Sequence, residues 1–199
     1  MDSVSIEQES AWLISARQGD QAAFGELVQL HQNAVYNLAY RILGNRVEAE
    51  DAAQETFLRA YANLERYDMA RPFRTWLLSI TSNFCIDRLR RRRLKWLSID
   101  EPLPPRTVLH SEEIEPEAAA IASERTALIQ SLLAELSPEH RAAVVLHYWY
   151  DYSYQEIAEM LRTTESAIKS RLFRARQTLA AKLTALQPDM RQAGIFEDE

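Results

Sequence analysis

Apolar residues along this chain recur every three to four positions, the period of an α-helix, and nowhere alternate as they do in a strand. The spacing predicts helices over residues 8–18, 20–43, 47–66, 72–94, 119–136, 138–149, 154–161 and 165–184. Their boundaries carry the expected punctuation. Gly19-Asp20 is a stop followed by an N-cap, and Leu43-Gly44-Asn45 is a second helix end. Pro72 and Pro138 suit first helical turns, with Ser137 placed to cap, and Ser153 and Glu156 have capping-box spacing. On the helix 165–184, Ile168, Leu172, Ala175 and Leu179 share one side. Ser166, Lys169, Ser170, Phe173 and Arg174 lie on the other side, with Arg171 and Arg176 on the shoulders. On 47–66, Ala53, Phe57, Tyr61 and Leu64 form the apolar stripe while Glu48, Asp51 and Glu55 point away. On 72–94, Phe73, Trp76, Leu77 and Phe84 turn inward; Ser79, Asn83 and Arg90 lie opposite, bordered by Ser82 and Arg93.

The helical pattern lapses between Ser98 and Glu117, where Pro102, Pro104, Pro105 and Pro116 sit among six carboxylates. Proline stiffens such a segment and like charges extend it, so it reads as a linker over 98–118. It separates a domain at 1–97 from one at 119–187, with an acidic, frayed tail at 188–199. The expected fold class is therefore all-α: two small helical domains joined by a flexible acidic linker. Residues 154–161 and 165–184, joined by Arg162-Thr163-Thr164, have helix-turn-helix spacing. Only four glycines occur in 199 residues, too few for the turns of a sheet protein, and no two have the spacing of a phosphate-cradling loop.

Charge changes the picture by its distribution. The net charge is −6, which argues against a nucleic-acid partner, but residues 98–124 alone carry seven acids against one base. The flanking blocks are near neutral, and within them the basic residues are bunched. Six cations fall in the eight residues Arg88 to Lys95, a run that attracts a polyanion or simply favours a solvated helix C-terminus. One cysteine, Cys85, excludes an intrachain disulfide framework and a multi-cysteine zinc site. The four histidines are scattered without metal-ligand spacing, so no metal and no cofactor is expected. The acidic start and the lack of an 18-residue apolar run lead to the expectation of a cytoplasmic protein.

Three surfaces carry candidate chemistry. Arginine and lysine pair with guanine edges and an aromatic ring touches a thymine methyl, so the polar face of 165–184 fits a major groove. Phe173 favours DNA over a solvated basic face with one stray aromatic, because a monomer gains nothing from phenylalanine amid a polar helix face. The loop Tyr67-Asp68-Met69-Ala70-Arg71-Pro72-Phe73-Arg74-Thr75-Trp76 interleaves aromatic and basic residues. That pattern suits either stacking on unpaired bases or a plain connection over an aromatic core. The acidic face of 47–66 would repel phosphate, so it reads as solubility or as a dock for a basic protein. Two other functions fit the sequence less well. An ordinary dimeric helix-turn-helix regulator has no use for the aromatic-basic loop or the acidic face. An enzyme would need Glu48, Asp51 and Glu55 to hold a metal without a histidine, or Cys85 to act without an evident base.

With these residues in view, the chain resembles the extracytoplasmic-function (group 4) sigma factors of bacterial RNA polymerase. The resemblance runs from about Asp20 to Leu183. It rests on Gly19-Asp20 through Ala23-Phe24 with Leu27-Val28, and on Glu50 through Phe57. It continues through Phe73-Arg74-Thr75-Trp76-Leu77 with Ile80, Asn83 and Asp87-Arg88, then Leu136 through Arg141, Tyr154 through Ala158, and Lys169 through Arg176. The resemblance implies a protein without catalytic residues that brings core polymerase to promoters and helps melt them. It implies that Glu48, Asp51, Gln54 and Glu55 dock on core. It assigns Tyr67, Arg74, Trp76, Ser79, Asn83 and Arg90 to the minus-10 element, with a flipped base read at Asn83. It assigns Ser166, Lys169, Ser170, Arg171, Phe173, Arg174 and Arg176 to the minus-35 element. The linker would thread near the RNA path, and an anti-sigma protein is an expected partner. Two departures stand out: the helix-turn-helix connection has no glycine, and Ala167 stands where a hydroxyl residue is frequent.

Overall fold

Helices at 21–43, 46–62, 138–150 and 154–160 start and stop where local chemistry satisfies their loose backbone groups. The computed structural model describes the backbone of residues 6–97 and 117–192, and side chains over 7–94 and 124–185. The expected linker lies outside the described residues except its last two positions, and the tail beyond Gln192 also lies outside them. The elements are α1 (Ile6–Arg17), α2 (Gln21–Leu43), α3 (Arg46–Ala62), a 3-10 turn (Leu64–Arg66), α4 (Phe73–Leu97), α5 (Glu117–Ala134), α6 (Pro138–Tyr150), α7 (Tyr154–Met160) and α8 (Glu165–Gln192). No strand occurs among the described residues. The Asp20 carboxylate accepts from the N–H groups of Ala22 and Ala23 and opens α2. Gly44 closes that helix at φ 72°, a left-handed conformation that glycine adopts without penalty. Asn45 then caps α3 through Glu48 N–H, and Ser153 and Glu156 complete the anticipated capping box on α7. The tail expected to fray from 188 instead begins as helix, since α8 runs on to Gln192.

Helix α2 is the spine of the first domain. Ala23, Leu27, His31, Val35, Leu38, Ala39, Ile42 and Leu43 are buried along it, and α1, α3 and α4 pack around it. Leu27, Leu38, Ile42, Leu77 and Leu78 are fully buried. Each is worth about 1.5–3 kcal/mol relative to an exposed position, before the entropy of ordering it. The buried stripe of α3 is not the expected one. Ala49, Ala52, Thr56 and Ala60 are buried, Ala53 and Phe57 are partly buried, and Tyr61 is 41% exposed, its ring edge-on to Phe24. Small residues let α3 lie close to its neighbours, and Thr56 Oγ1 satisfies itself on Ala52 O at 2.8 Å. Ser82, expected at the border of the polar face, is also buried and donates to Leu78 O.

The second domain is α5 to α8. Ile168, Leu172 and Ala175 on α8 meet the buried run Ala142 to Leu146 of α6 and Ile157 of α7. The two domains do not stand apart: α6 packs on α2 and α4, and α7 packs on α4. Arg141 is buried at this junction. Its guanidinium donates to Ile42 O at 2.7 Å, Ala134 O at 2.9 Å and, more loosely, Leu136 O at 3.4 Å.

Candidate nucleic-acid interface

The face of α8 is set by its turn. Leu161 to Thr164 connects α7 to α8, with Arg162 at φ 51° in the left-handed position that glycine would take more cheaply. Thr164 Oγ1 then accepts from Ala167 N–H and starts the second helix. With Ile168, Leu172 and Ala175 inside, the opposite side presents Ser166, Lys169, Ser170, Phe173 and Arg174 to solvent. Phe173 is 57% exposed. Gln177 joins Lys169, Ser170, Phe173 and Arg174 around one shallow open depression. Sequence reasoning stopped short of Gln177, although its place four residues after Phe173 puts it on the same face. Lys169 is held by Glu165 at 2.7 Å, which raises its pKa. Arg176 is exposed and Arg171 half-buried beside Glu139. Burial pushes the Glu139 carboxyl up, but a helix N-terminal N–H, Arg90 and Arg171 outweigh it and leave it below the usual range.

The loop before α4 sorts its alternating residues by side. The resemblance places Tyr67 among the minus-10 residues, but its ring is only 4% exposed and packs on Phe73 at 5.3 Å and Trp76 at 4.9 Å. Its hydroxyl donates to Arg71 O, and burial pushes its pKa to about 12. Tyr67 therefore shapes the loop from within rather than facing out. Of its aromatic and basic residues, Arg71 and Arg74 are exposed, Phe73 is buried with Tyr67, and Trp76 is partly covered. Ser79 Oγ donates to Trp76 O. Asn83 Nδ2 donates to Ser79 O at 2.7 Å and across the domain boundary to Met160 O at 2.8 Å. Arg74 lies over the Tyr150 ring at 5.6 Å, and Arg90 Nε meets Glu139 at 2.5 Å. Three of the expected minus-10 residues thus contact α6 or α7.

The acidic face of α3 is narrower than expected. Glu48 does not point away: it turns to the arginine run of α4, 3.9 Å from Arg88 and 3.5 Å from Arg92. Asp51 stays exposed while reaching Arg88 at 3.3 Å, and Glu55 pairs with Arg59 at 2.7 Å. The outward stripe runs Val47, Asp51, Gln54, Leu58, with Val47 and Leu58 each 67% exposed. Sequence reasoning missed these two flanking apolar residues. Half of the Arg88 to Lys95 run is therefore committed to carboxylates, since Arg88, Arg90 and Arg92 all have acidic partners. Among the described residues no cluster of three His, Cys, Asp or Glu suits a metal, and no helix is long and apolar enough to cross a membrane.

Comparison with known proteins fits this two-part layout. Residues 27–95 match the Sigma-70 region 2 family and residues 126–179 the Sigma-70 region 4 family. The ECF RNA polymerase sigma factor SigW of Bacillus subtilis is 35% identical over 175 residues, 85% of this chain and 94% of that one. This chain is an ECF sigma factor. The ECF sigma factor SigE of Mycolicibacterium smegmatis is 40% identical over 81% of the chain and 63% of that protein. Among solved structures, CnrH in complex with the cytosolic domain of CnrY superposes with a TM-score of 0.64 at 28% identity, covering 89% of this chain and 98% of that one. As a sigma factor the chain recognises promoters for RNA polymerase and is not an enzyme. Region 2 takes in most of α2 together with α3 and most of α4, and region 4 runs from α5 into α8.

Proposed function

We propose that this sigma factor is a group 4 member that reads the minus-35 element with α8 and the minus-10 strand with α4 and its preceding loop. The observation that carries the reading is Phe173, solvent-exposed amid Lys169, Ser170 and Arg174 on the second helix of a helix-turn-helix. The group 4 assignment is supported by a region 2 match at 27–95, a region 4 match at 126–179 and 35% identity to an ECF sigma factor over 85% of the chain. The base-side residues of α8 are Ser166, Lys169, Ser170, Phe173 and Arg174, to which Gln177 is added; Arg171 and Arg176 reach phosphates. On region 2, Arg74 and Arg90 hold the backbone, and Ser79, Trp76 and Asn83 meet an unpaired base. Unstacking that base costs a few kcal/mol, offset by stacking and edge hydrogen bonds. Core polymerase docks on Asp51, Gln54 and Glu55, with Val47 and Leu58 supplying apolar contact. The linker passes near the RNA path. The chain acts in the cytoplasm, where its polymerase works, under an anti-sigma protein; the CnrH–CnrY complex supports, by similarity, that a second protein binds a chain of this kind.

The test is in vitro transcription with core polymerase on a fragmented genomic library, followed by sequencing of start sites. The expected result is a set of starts sharing two elements at fixed spacing. A duplex footprint unaltered by core, without new transcripts, would replace this reading with that of a simple DNA-binding regulator.

A further inference from the structure

The loop before α4 is framed by a helix that lies outside both matched segments. Helix α1 ends at Arg17, and the region 2 match begins at residue 27. Leu13 and Ala16 are buried and seat α1 on α2, and the helix also touches the 3-10 turn. From there it reaches the loop 67–72 at both ends. At the entry, Arg17 Nη2 donates to Glu65 O at 3.1 Å, two residues before Tyr67. At the exit, Glu9 accepts from His31 Nε2 at 2.9 Å, and the His31 ring lies edge-on to Phe73 at 5.5 Å. A carboxylate only accepts, so His31 carries a proton on Nε2. Phe73 in turn packs on Tyr67 at 5.3 Å and on Trp76 at 5.7 Å. Burial is the main cause of the high Tyr67 pKa, and the nearby Glu9 carboxylate adds to it. The bonds within the loop are local: Ala70 N–H and Arg71 N–H both close on Asp68, and Tyr67 donates to Arg71 O.

We infer that α1 is a brace for the loop 67–72, in which Arg17, Glu9 and His31 are positioning residues for reading of the minus-10 strand. Arg17 acts through the Glu65 backbone, and Glu9 and His31 act through the Phe73 ring. The inference rests on the reading of the loop and α4 given above. A loop tied at both ends to a packed helix is ordered before the strand arrives, so less freedom is lost on binding. Arg71 and Arg74 then project from fixed places, and Trp76 is set by the same Phe73 ring. Without the brace an unpaired base would meet a loop of variable shape. Selectivity among minus-10 sequences would fall, while α8 would read the minus-35 duplex as before.

The test uses holoenzyme assembled from core polymerase and the full chain. Two libraries are built on a promoter found by the start-site experiment above, one randomised in the minus-10 element and one in the minus-35. Transcript sequencing reads the preference at each. In Glu9→Ala/Arg17→Ala the spread between preferred and average minus-10 sequences should shrink about tenfold, an ordinary size for residues that act through packed neighbours, with the minus-35 preference unchanged. Glu9→Gln/Arg17→Lys keeps an acceptor for His31 and a donor for Glu65 O, and should restore most of the spread. A chain that is merely less stable loses output on every promoter alike. Lower output with both preferences intact therefore overturns the inference, and so does an unchanged minus-10 preference at full output. If circular dichroism shows that the double variant loses helix, Arg17→Ala alone, at an exposed side chain, is read instead. It should narrow the minus-10 spread about threefold, and no narrowing overturns the inference. Asn83→Ala in the otherwise wild-type chain, assayed on the same libraries, separates the causes. A changed minus-10 preference there, with none in the α1 variants, leaves the reading of α4 standing and removes the brace alone; no change in any of them removes both.

Discussion

Arg162 occupies the one place in the helix-turn-helix where backbone shape and side chain disagree. A left-handed residue with a Cβ costs about 1–2 kcal/mol, and glycine returns part of that as unfolded-state entropy. Arg162→Gly should therefore stabilise the chain by about 1 kcal/mol, read as a higher thermal midpoint with unchanged helix content. A lower midpoint would show that the Arg162 side chain makes up for its own strain. His31 is the second residue whose state matters to stability. Burial lowers its pKa below 6.5 against the opposing pull of Glu9, whose carboxylate is 2.9 Å away, with Arg74 adding a smaller lowering. The unfolded chain thus takes up a proton before the folded one does. Stability is complete above the ordinary value of 6.5 and is lost as the pH falls toward the folded pKa. His140, lowered by burial and by Arg171, has the same sign. The denaturant midpoint of the wild type should fall between about pH 7 and pH 5, and His31→Gln should flatten that slope.

At the scale of the helices, most boundaries and one face were legible in advance; the ends of α3, four residues earlier than expected, and of α8, eight later, were not, and neither was a second face. The core stripe of α8 fell where period and chemistry agreed, because Ile168 and Leu172 are large and their opposite side is polar. On α3 large residues misled: Phe57 and Tyr61 looked like core, yet close packing selected alanines and Thr56. Size marks the core only where helices leave room for it. Each face carries its own prediction. Arg174→Ala should relax discrimination at one minus-35 position by about 1–3 kcal/mol, measured by selecting the holoenzyme on a randomised duplex. Uniform weakening across sequences would assign Arg174 to phosphate instead. Asp51→Lys sets a lysine against Arg88 and reverses the centre of the outward stripe on α3. It should weaken binding to core polymerase about tenfold or more while leaving the circular dichroism unchanged. Undiminished affinity would take core docking off this helix.

For the whole molecule, the joint between the domains is the feature with most at stake. Arg141 donates to carbonyls of α2, α5 and the connection before α6. Arg141→Met fills most of the volume but leaves buried carbonyls without donors, at about 1–3 kcal/mol for each. A loss of roughly 3 kcal/mol in the unfolding free energy is expected, and Arg141→Lys should recover only part of it, since an ammonium cannot fan out to several acceptors as a guanidinium does. An unchanged denaturation curve for Arg141→Met would show that the joint is not held through this side chain. The amino-acid order alone determined the all-α class, the caps, the helix-turn-helix and the outward Phe173, because each depends on neighbours within a few residues. Only the tertiary structure decided that Tyr67 is inside, that Glu48 belongs to the arginine run, and that Asn83 meets Met160. Those outcomes depend on which helices come within a few ångströms of one another, and contacts between residues 77 positions apart leave no periodic trace in the chain.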